Sequence, residues 1–272
     1  MTTALILLCG LLAGSFLAVC AYRLPRGLSL VRPGSRCPAC GHPLAAWDNV
    51  PLVSYALLRG RCRACRAPIA WRDPLLEAAA AATFYWSWRR TSGGVEFIRE
   101  AFLLGALLAL AAADWETRQL PDEITLGGWA VGLALAAAGP GFVPALAASF
   151  GGAGLAALVG LGYLRWRGRE GLGWGDVKMI GMLGAFLGFG SGVVALFLGS
   201  LAAAAAGLLL AGAVLLQRRR RGASWRRARQ ATAVFLARGA LPLGVFLAAG
   251  GAAALAWGPA LWRLWVGPFA GG

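Results

Sequence analysis

The sequence predicts an all-α polytopic membrane protein with about eight transmembrane helices and one small domain outside the bilayer. Hydrophobic residues make up 59% of its 272 residues, and the mean hydropathy is +0.67. Apolar runs long enough to cross a bilayer recur along the whole chain. These runs lack the alternation of period two that a transmembrane barrel requires, and open sheets cannot span lipid. A helical bundle surrounded by membrane lipid is therefore the expected architecture.

Eight apolar segments are candidate spans, at residues 3–22, 74–90, 97–113, 124–138, 142–164, 176–190, 191–216 and 239–258. The first has no basic residue before it and is long for a signal peptide, so we interpret it as an uncleaved span. The apolar stretch 176–216 is too long for one span, and the Gly-rich residues 188–192 favour a turn there. Several segments are shorter than the roughly 20 residues of a straight span, so seven or nine crossings stay possible.

The basic residues support an even number of crossings. With eight spans, all but four of the 26 basic residues fall on one side of the membrane, the exceptions being Arg89, Arg90, Arg99 and Arg263. The positive-inside rule makes the arginine-rich side cytoplasmic, so both termini face outward. The net charge of +15 is thus explained by topology. Nucleic acid is not an expected partner, because no basic stripe with interleaved stacking aromatics accompanies the arginines.

This topology divides the chain into four segments. Residues 1–22 form the first transmembrane helix, and residues 23–73 form a cytoplasmic domain that contains four cysteines. Residues 74–216 form a transmembrane core. Residues 217–272 form a basic cytoplasmic loop followed by the C-terminal transmembrane helix. Only the segment 23–73 is long enough to be a domain outside the bilayer.

The cysteines of that domain have the spacing of a metal site. Cys37, Cys40, Cys62 and Cys65 form a C-x2-C-x21-C-x2-C pattern, in which two knuckles supply four thiolates to a tetrahedral zinc. Disulfides are the alternative, which a reducing cytoplasm disfavours. Four thiolates leave no open coordination position, so the zinc is expected to be structural. His42 follows Cys40 by two residues and could replace one ligand, although a surface histidine is the simpler interpretation.

Two aspartates lie where apolar spans meet the predicted cytoplasmic face. Asp114 ends the third span and Asp176 opens the sixth, inside the segment GLGWGDVK. The chain crosses the bilayer twice between them, so both aspartates lie at the same face. Topology alone therefore allows them to form a carboxylate pair. Glu116, Asp122 and Glu123 fit a simpler role at the membrane interface, where charge costs little.

A close carboxylate pair has a specific chemistry. Two such groups cannot both ionise, so one keeps a proton and the other acts as a base. The base can take a proton from a water that attacks a peptide carbonyl, while the acid protonates the carbonyl oxygen. The alternative is that Asp114 and Asp176 are interfacial or ion-binding residues. The protein would then be a non-enzymatic assembly or transport protein whose zinc domain docks a partner.

Four segments, in order, make the sequence similar to a known family. GLGWGDVK at 171–178 resembles the G-x-G-x-G-D-x-K element of the type IV prepilin peptidases, which belong to the GxGD intramembrane aspartyl proteases. DWETRQLPD at 114–122 resembles their second aspartate element. GSFLAVCAYRLPRG at 14–27 resembles their G-S-F-L-N-V-x-x-x-R-L-P segment. Residues 37–77 resemble their tetracysteine domain nearly throughout.

The resemblance implies a function and a location. Asp114 and Asp176 match the catalytic pair, and the four cysteines match those of the family. The expected substrates are type IV prepilin or pseudopilin precursors, cut at the cytoplasmic edge of the bacterial inner membrane. The family also methylates the new N-terminus from S-adenosylmethionine, for which no Gly-rich fingerprint is present here. Ala18 and Asp73 depart from the family pattern, which usually has Asn and an aromatic residue there.

Overall fold

The computed structural model describes residues 2–91, 93–138, 141–221, 224–226, 229–230, 232 and 241–267. Within those ranges the chain contains no β-strand, only two isolated bridges, so the all-α class is confirmed. The helices are α1 (Thr3–Arg23), α2 (Val53–Leu57), α3 (Arg72–Thr91), α4 (Gly94–Thr117), α5 (Asp122–Ala137), α6 (Phe142–Arg167), α7 (Trp174–Arg220) and α8 (Leu243–Val266). Short 3-10 turns lie at Leu24–Arg26 and Ala46–Asn49.

Each predicted span coincides with a helical segment. Within the described ranges, four segments are long and apolar enough to cross a membrane: Thr3–Arg26, Phe142–Arg167, Trp174–Arg220 and Leu243–Val266. The protein is therefore a multi-pass membrane protein, while the full count of eight crossings stays a prediction. Much of the predicted basic loop 217–238 lies outside the described residues, as does the start of the predicted last span at 239–240.

Helix α7 is interrupted inside the Gly-rich segment 188–192, where a turn between two spans was predicted. Gly188 has φ 71° and ψ −177°, a backbone conformation that interrupts the helix and that glycine adopts without a Cβ penalty. A break of this kind frees the carbonyl groups of the preceding turn. The guanidinium of Arg99, on α4, donates a hydrogen bond to the carbonyl of Phe186. The bend is therefore held by a neighbouring helix, and the first half of α7 is a separate unit of 14 residues before Gly188.

The bundle has two hydrophobic cores that share α4. The larger core joins α4, α7 and α8, with Leu110, Met179 and Leu247 at its centre. The smaller core joins α1, α3 and the end of α4, around Ala21 and Leu76. Because α4 contributes to both cores, it fixes the N-terminal half of the protein against the C-terminal half.

The tetracysteine domain is built from two copies of one local structure. In the first, the N–H of Cys37 donates to the carbonyl of His42 at 2.9 Å, and in the second, that of Cys62 donates to Ala67 at 2.8 Å. Each copy also has an isolated bridge, Arg36 to Pro43 and Arg61 to Pro68. The equivalent positions are 25 residues apart, so the domain is an approximate duplication of a knuckle with a short helical connection between the copies.

A buried carboxylate joins this domain to the membrane helices. Oε2 of Glu77, on α3, accepts a hydrogen bond from the N–H of Leu52 at 2.8 Å. The α3 backbone is pressed against α1 at this level, since a Cβ at Gly14 would lie 2.5 Å from Cα of Glu77. The domain is thereby held directly above the α1–α3 pair, with a cavity between them.

Candidate functional site

Asp114 lies in the last turn of α4 and is held from a distant part of the chain. Its Oδ2 accepts a hydrogen bond from the N–H of Val245 at 3.2 Å, in the first turn of α8. Free N–H groups and the positive end of the helix dipole make a helix N-terminus favourable for a carboxylate. Gly244 allows this approach, because a Cβ there would lie 2.9 Å from Oδ2 of Asp114. The side chain is buried, with the residue 6% exposed.

Asp176 lies in the first turn of α7 and is surrounded by the glycines of its motif. Its N–H donates to the carbonyl of Gly173 at 3.0 Å. A Cβ at Gly173 would lie 3.3 Å from Oδ2 of Asp176, and a Cβ at Gly175 would lie 2.9 Å from Cβ of Leu120. Leu120 also contacts the position of Gly244. The glycines thus let α7, the loop after α4 and α8 meet closely around the two aspartates.

The two aspartates open into one cleft, which we call the aspartate cleft. It has a volume of about 430 Å³ and is lined by residues that include Leu24, Pro25, Asp114, Arg118, Leu120 and Asp176. Four elements contribute: the turn after α1, the end of α4 with its loop, the start of α5 and the start of α7. The structure therefore brings together the two aspartates that the sequence singled out.

Exposed tryptophans lie beside both aspartates in the chain. Trp115 is 65% exposed and Trp174 is 55% exposed on the surface of the bundle. Tryptophan is enriched where a membrane protein crosses from hydrocarbon to headgroups. These two side chains are consistent with an aspartate cleft at a membrane edge.

Lys178, the only lysine of the chain, has a structural partner. Its Nζ lies 2.6 Å and 2.7 Å from the two carboxylate oxygens of Asp122. This ion pair joins the start of α5 to the first turn of α7, next to the cleft. Glu116, the other acid near Asp114, pairs with Arg26 and with Arg72. Asp122 and Glu116 are thus both engaged in ion pairs.

The four cysteines form a compact cluster. All four Sγ atoms lie within 4.8 Å of one another, and those of Cys37 and Cys65 are 3.8 Å apart. Four sulfurs around a tetrahedral metal at about 2.3 Å would be about 3.8 Å apart, so the arrangement fits one ion. The N–H groups of Cys65 and Ala64 donate to the sulfur of Cys62 and lower its thiol pKa to about 6. In the same cluster the N–H of His42 lowers the thiol pKa of Cys40, but the hydrogen bond to Cys65 and desolvation outweigh it and raise that pKa to about 11. Cys37 and Cys62 are buried, whereas Cys40 and Cys65 are exposed.

A second and larger cavity lies between α1, α3 and the tetracysteine domain, and we call it the N-terminal cavity. Its volume is about 920 Å³, and its lining includes Ser15, Val19, Tyr22, Arg32, Glu77 and Glu116. Ala18 and Asp73, the two positions that depart from the family pattern, both line it. This cavity could not be predicted from the sequence, because its walls come from segments as far apart in the chain as Ser15 and Glu116.

Sequence reasoning also missed the contribution of α8. Gly244 and Val245 contact Asp114, although they lie 130 and 131 positions further along the chain. Pro242, which directly precedes α8, is a sequence signal for the start of this helix. The sequence does not show that this helix start contacts Asp114.

The fold and the site together define a multi-pass helical membrane protein with two aspartates in one cleft and a separate tetracysteine cluster. Two family models match the chain: the Bacterial Peptidase A24 N-terminal domain over residues 8–91 and the Type IV leader peptidase family over residues 101–208. The chain belongs to the type IV leader peptidase family. No solved structure matches it.

Several curated relatives share the name prepilin leader peptidase/N-methyltransferase. The protein from Burkholderia pseudomallei is 35% identical over 97% of this chain and 88% of its own length. The protein from Klebsiella pneumoniae is 38% identical over 72% of this chain and 90% of its own length. The protein from Myxococcus xanthus is 40% identical over 65% of this chain, and the match spans 54% of that protein.

Proposed function

We propose that this protein removes the leader peptide of type IV prepilin-like precursors and methylates the new N-terminus. The observation that carries the peptidase assignment is the aspartate cleft, in which Asp114 and Asp176 open into one space. The family of the chain and the names of its relatives support the same activity. In pilin and pseudopilin precursors a short basic leader precedes an apolar helix. The bond to be cut lies between these two segments and would be presented at the aspartate cleft.

We propose that the two aspartates act as one acid–base unit. One carboxyl group keeps a proton and the other is ionised, as for any two carboxylates held close together. The ionised group takes a proton from water, whose oxygen then attacks the carbonyl carbon of the scissile peptide bond. The protonated group donates its proton to the carbonyl oxygen. Collapse of the intermediate breaks the C–N bond, and the leaving amine receives a proton.

The surrounding residues position this unit. The N–H of Val245 fixes Oδ2 of Asp114, and the packing of Leu120 against Gly175 sets the start of α7. Catalysis of this type depends on geometry held to a fraction of an ångström. The close packing of three chain segments around Asp114 and Asp176 supplies that rigidity.

We propose that the cysteine cluster holds one structural zinc. The donor set of four sulfurs and the separation of 3.8 Å between Cys37 and Cys65 support a tetrahedral ion. Four thiolates leave no position for water, so the ion takes no part in hydrolysis. Its effect is to hold the two knuckles together in a domain with a small hydrophobic core.

We propose that the tetracysteine domain and the aspartate cleft face the cytoplasm of a bacterial inner membrane, as the arginine distribution favours. Val31, which is 79% exposed in the tetracysteine domain, provides a test. In a Val31→Cys variant, a membrane-impermeant maleimide should label position 31 in inverted vesicles and not in right-side-out vesicles. Labelling only in right-side-out vesicles would reverse the topology. The parent protein controls for labelling of the native cysteines.

The activity itself is tested with purified protein and a full-length prepilin in detergent. Mass spectrometry of the substrate should show loss of the leader without S-adenosylmethionine, and loss of the leader plus one methyl group with it. An intact substrate after incubation with folded wild-type protein would contradict the peptidase function. A cleaved product that never gains a methyl group would contradict the second activity alone.

A further inference from the structure

Among the described residues, the N-terminal cavity contains one carboxylate with no cationic partner. Four acids line this cavity. Three are paired with arginines, namely Asp48 with Arg63, Asp73 with Arg72, and Glu116 with Arg26 and Arg72. The fourth is Glu77, which forms no ion pair within the part of the chain that the structure describes.

Glu77 is held in place by neutral donors. Its Oε2 accepts the N–H of Leu52 at 2.8 Å, and the hydroxyl of Ser15 also hydrogen-bonds its carboxylate. The residue is 9% exposed. Buried carboxylates in proteins are normally paired with a cation, because removing a charge from water is costly. A positively charged ligand in the cavity would supply the missing partner.

We propose that the N-terminal cavity binds S-adenosylmethionine, with Glu77 facing the positively charged sulfonium group. This inference rests on the methyl transfer proposed above. A cavity of about 920 Å³ is within the size range of small-molecule sites, which run from about 300 to 1,000 Å³. Arg32 and Arg36 also line the cavity and offer cations to the carboxylate of the same ligand.

The cavity is preformed by contacts that do not involve a ligand. The guanidinium of Arg23 donates to the carbonyls of Ser29, Pro33 and Gly34 at 2.8 to 3.2 Å, which closes the loop over the cavity. On α3, the carboxylate of Glu77 accepts the N–H of Leu52. A preformed site loses little conformational entropy when a ligand enters it.

The position of the cavity suits transfer to the product of cleavage. The aspartate cleft and the N-terminal cavity are separated by a single 3-10 turn, in which Leu24 and Pro25 line the cleft and Arg26 lines the cavity. Glu116, two residues after Asp114, also lines the cavity. The amine that is released in the cleft therefore lies next to the proposed donor site.

The transfer step is balanced without a further reactant. An α-amine has a pKa of about 7.7–8.0, so a substantial neutral fraction exists near neutral pH after one proton passes to solvent. The bound donor supplies a methyl group, which forms a bond to nitrogen as its bond to sulfur breaks. The sulfur keeps the bonding electrons and becomes a neutral thioether. The positive charge moves to the methylated nitrogen, which becomes a secondary ammonium. The spent donor therefore no longer carries the charge that Glu77 faces, which favours its release.

Binding measurements test the proposal without relying on activity. S-Adenosylmethionine and its neutral thioether product, S-adenosylhomocysteine, are titrated against the full-length protein in detergent by equilibrium dialysis. Glu77→Gln keeps an acceptor for the N–H of Leu52 and removes the charge. We expect it to weaken binding of S-adenosylmethionine about tenfold or more, and binding of the thioether less than about twofold. Glu96→Gln, at a position that is 66% exposed by its side chain, should bind both as wild type does.

A second pair of variants tests the location. Val19→Trp places a large side chain into the cavity from α1, whereas Leu12→Trp places the same side chain on an exposed face of that helix. Val19→Trp should lose both ligands, and Leu12→Trp should bind both normally. Zinc content and a single elution peak check that each variant is folded.

Two results would overturn the proposal. Wild-type affinity in folded Val19→Trp would remove the donor from this cavity, and equal weakening of both ligands in Glu77→Gln would remove the role of its charge. Cleavage by the wild-type protein is measured on the same preparation. If wild type cleaves prepilin but binds neither ligand, the cavity assignment fails while the peptidase function stands. If the wild-type protein binds S-adenosylmethionine but does not cleave prepilin, the peptidase function fails while the cavity assignment stands.

Discussion

The tetracysteine domain and the aspartate cleft are assembled in opposite ways. The domain is local: two knuckles 25 residues apart repeat the same hydrogen bonds, and all four sulfurs come from residues 37–65. The cleft is non-local, since Asp114 and Asp176 come from α4 and α7, and a third helix, α8, holds Asp114. Loss of one cysteine ligand should therefore unfold the tetracysteine domain. Small displacements of distant helices should instead reduce the activity of the aspartate cleft.

The largest expected effect is on the cleft. Asp114→Asn and Asp176→Asn should each reduce prepilin cleavage about a thousandfold or more, because neither amide can replace its carboxyl group in the acid–base pair. Both variants should insert into the membrane and keep their zinc. Quantitative mass spectrometry of the substrate measures the loss. A well-folded variant with full activity would remove that aspartate from the dyad.

Loss of a metal ligand should act on the domain instead. Cys62→Ser removes one of four thiolates, and structural zinc contributes about 10–16 kcal/mol of apparent binding free energy in small domains. We expect the bound zinc to fall well below one per chain and the segment 23–73 to become sensitive to protease. Cys9→Ser, in α1, is the matched control, and this variant should retain one zinc per chain.

X-ray absorption of the wild-type protein should show four sulfurs at about 2.3 Å from the zinc. Disulfides in a metal-free protein would contradict the zinc assignment.

A single added methyl group next to Asp114 should lower activity although both aspartates are retained. Gly244→Ala adds a Cβ that would lie 2.9 Å from Oδ2 of Asp114, so the carboxylate or α8 must move. We expect kcat to fall about 10- to 100-fold while the thermal stability changes little. Gly127→Ala adds a Cβ that meets no atom within 4 Å and should have no effect. Equal activity in the two variants would show that α8 does not position Asp114.

The smallest effect is expected at the rim of the cleft. Asp122→Asn weakens the ion pair with Lys178, whose partners are 56% and 27% exposed. An ion pair in this setting contributes up to about 1 kcal/mol, so cleavage should fall less than about fivefold. A loss as large as that of Asp114→Asn would move the catalytic role to Asp122. Initial rates under the same conditions decide between these outcomes.

The same contrast explains what the sequence could predict. The cysteine spacing defines its site almost completely, because short-range geometry brings the knuckle ligands together. Hydropathy located the apolar helices, and the Gly-rich residues 188–192 indicated where α7 is interrupted. Topology placed Asp114 and Asp176 at one face, which is a necessary condition for a pair but gives no distance.

Other features depend on tertiary packing and left no readable signal. The role of Val245 required knowing that the start of α8 meets the end of α4. The N-terminal cavity required knowing how the tetracysteine domain sits on α1 and α3 through Leu52 and Glu77. No sequence motif distinguishes Glu77 from the other acids of the chain. The absence of a cationic partner among the described residues is what sets it apart.

The central claim is that Asp114 and Asp176 work as one unit, and a double variant tests it most directly. Cleavage of full-length prepilin is compared among wild type, Asp114→Asn, Asp176→Asn and the double variant, with membrane insertion and zinc content equal in all four. Residues that act as a unit give losses that do not add. We predict that the double variant falls to the same residual activity as either single variant. A double variant whose loss equals the product of the two single losses would contradict the account.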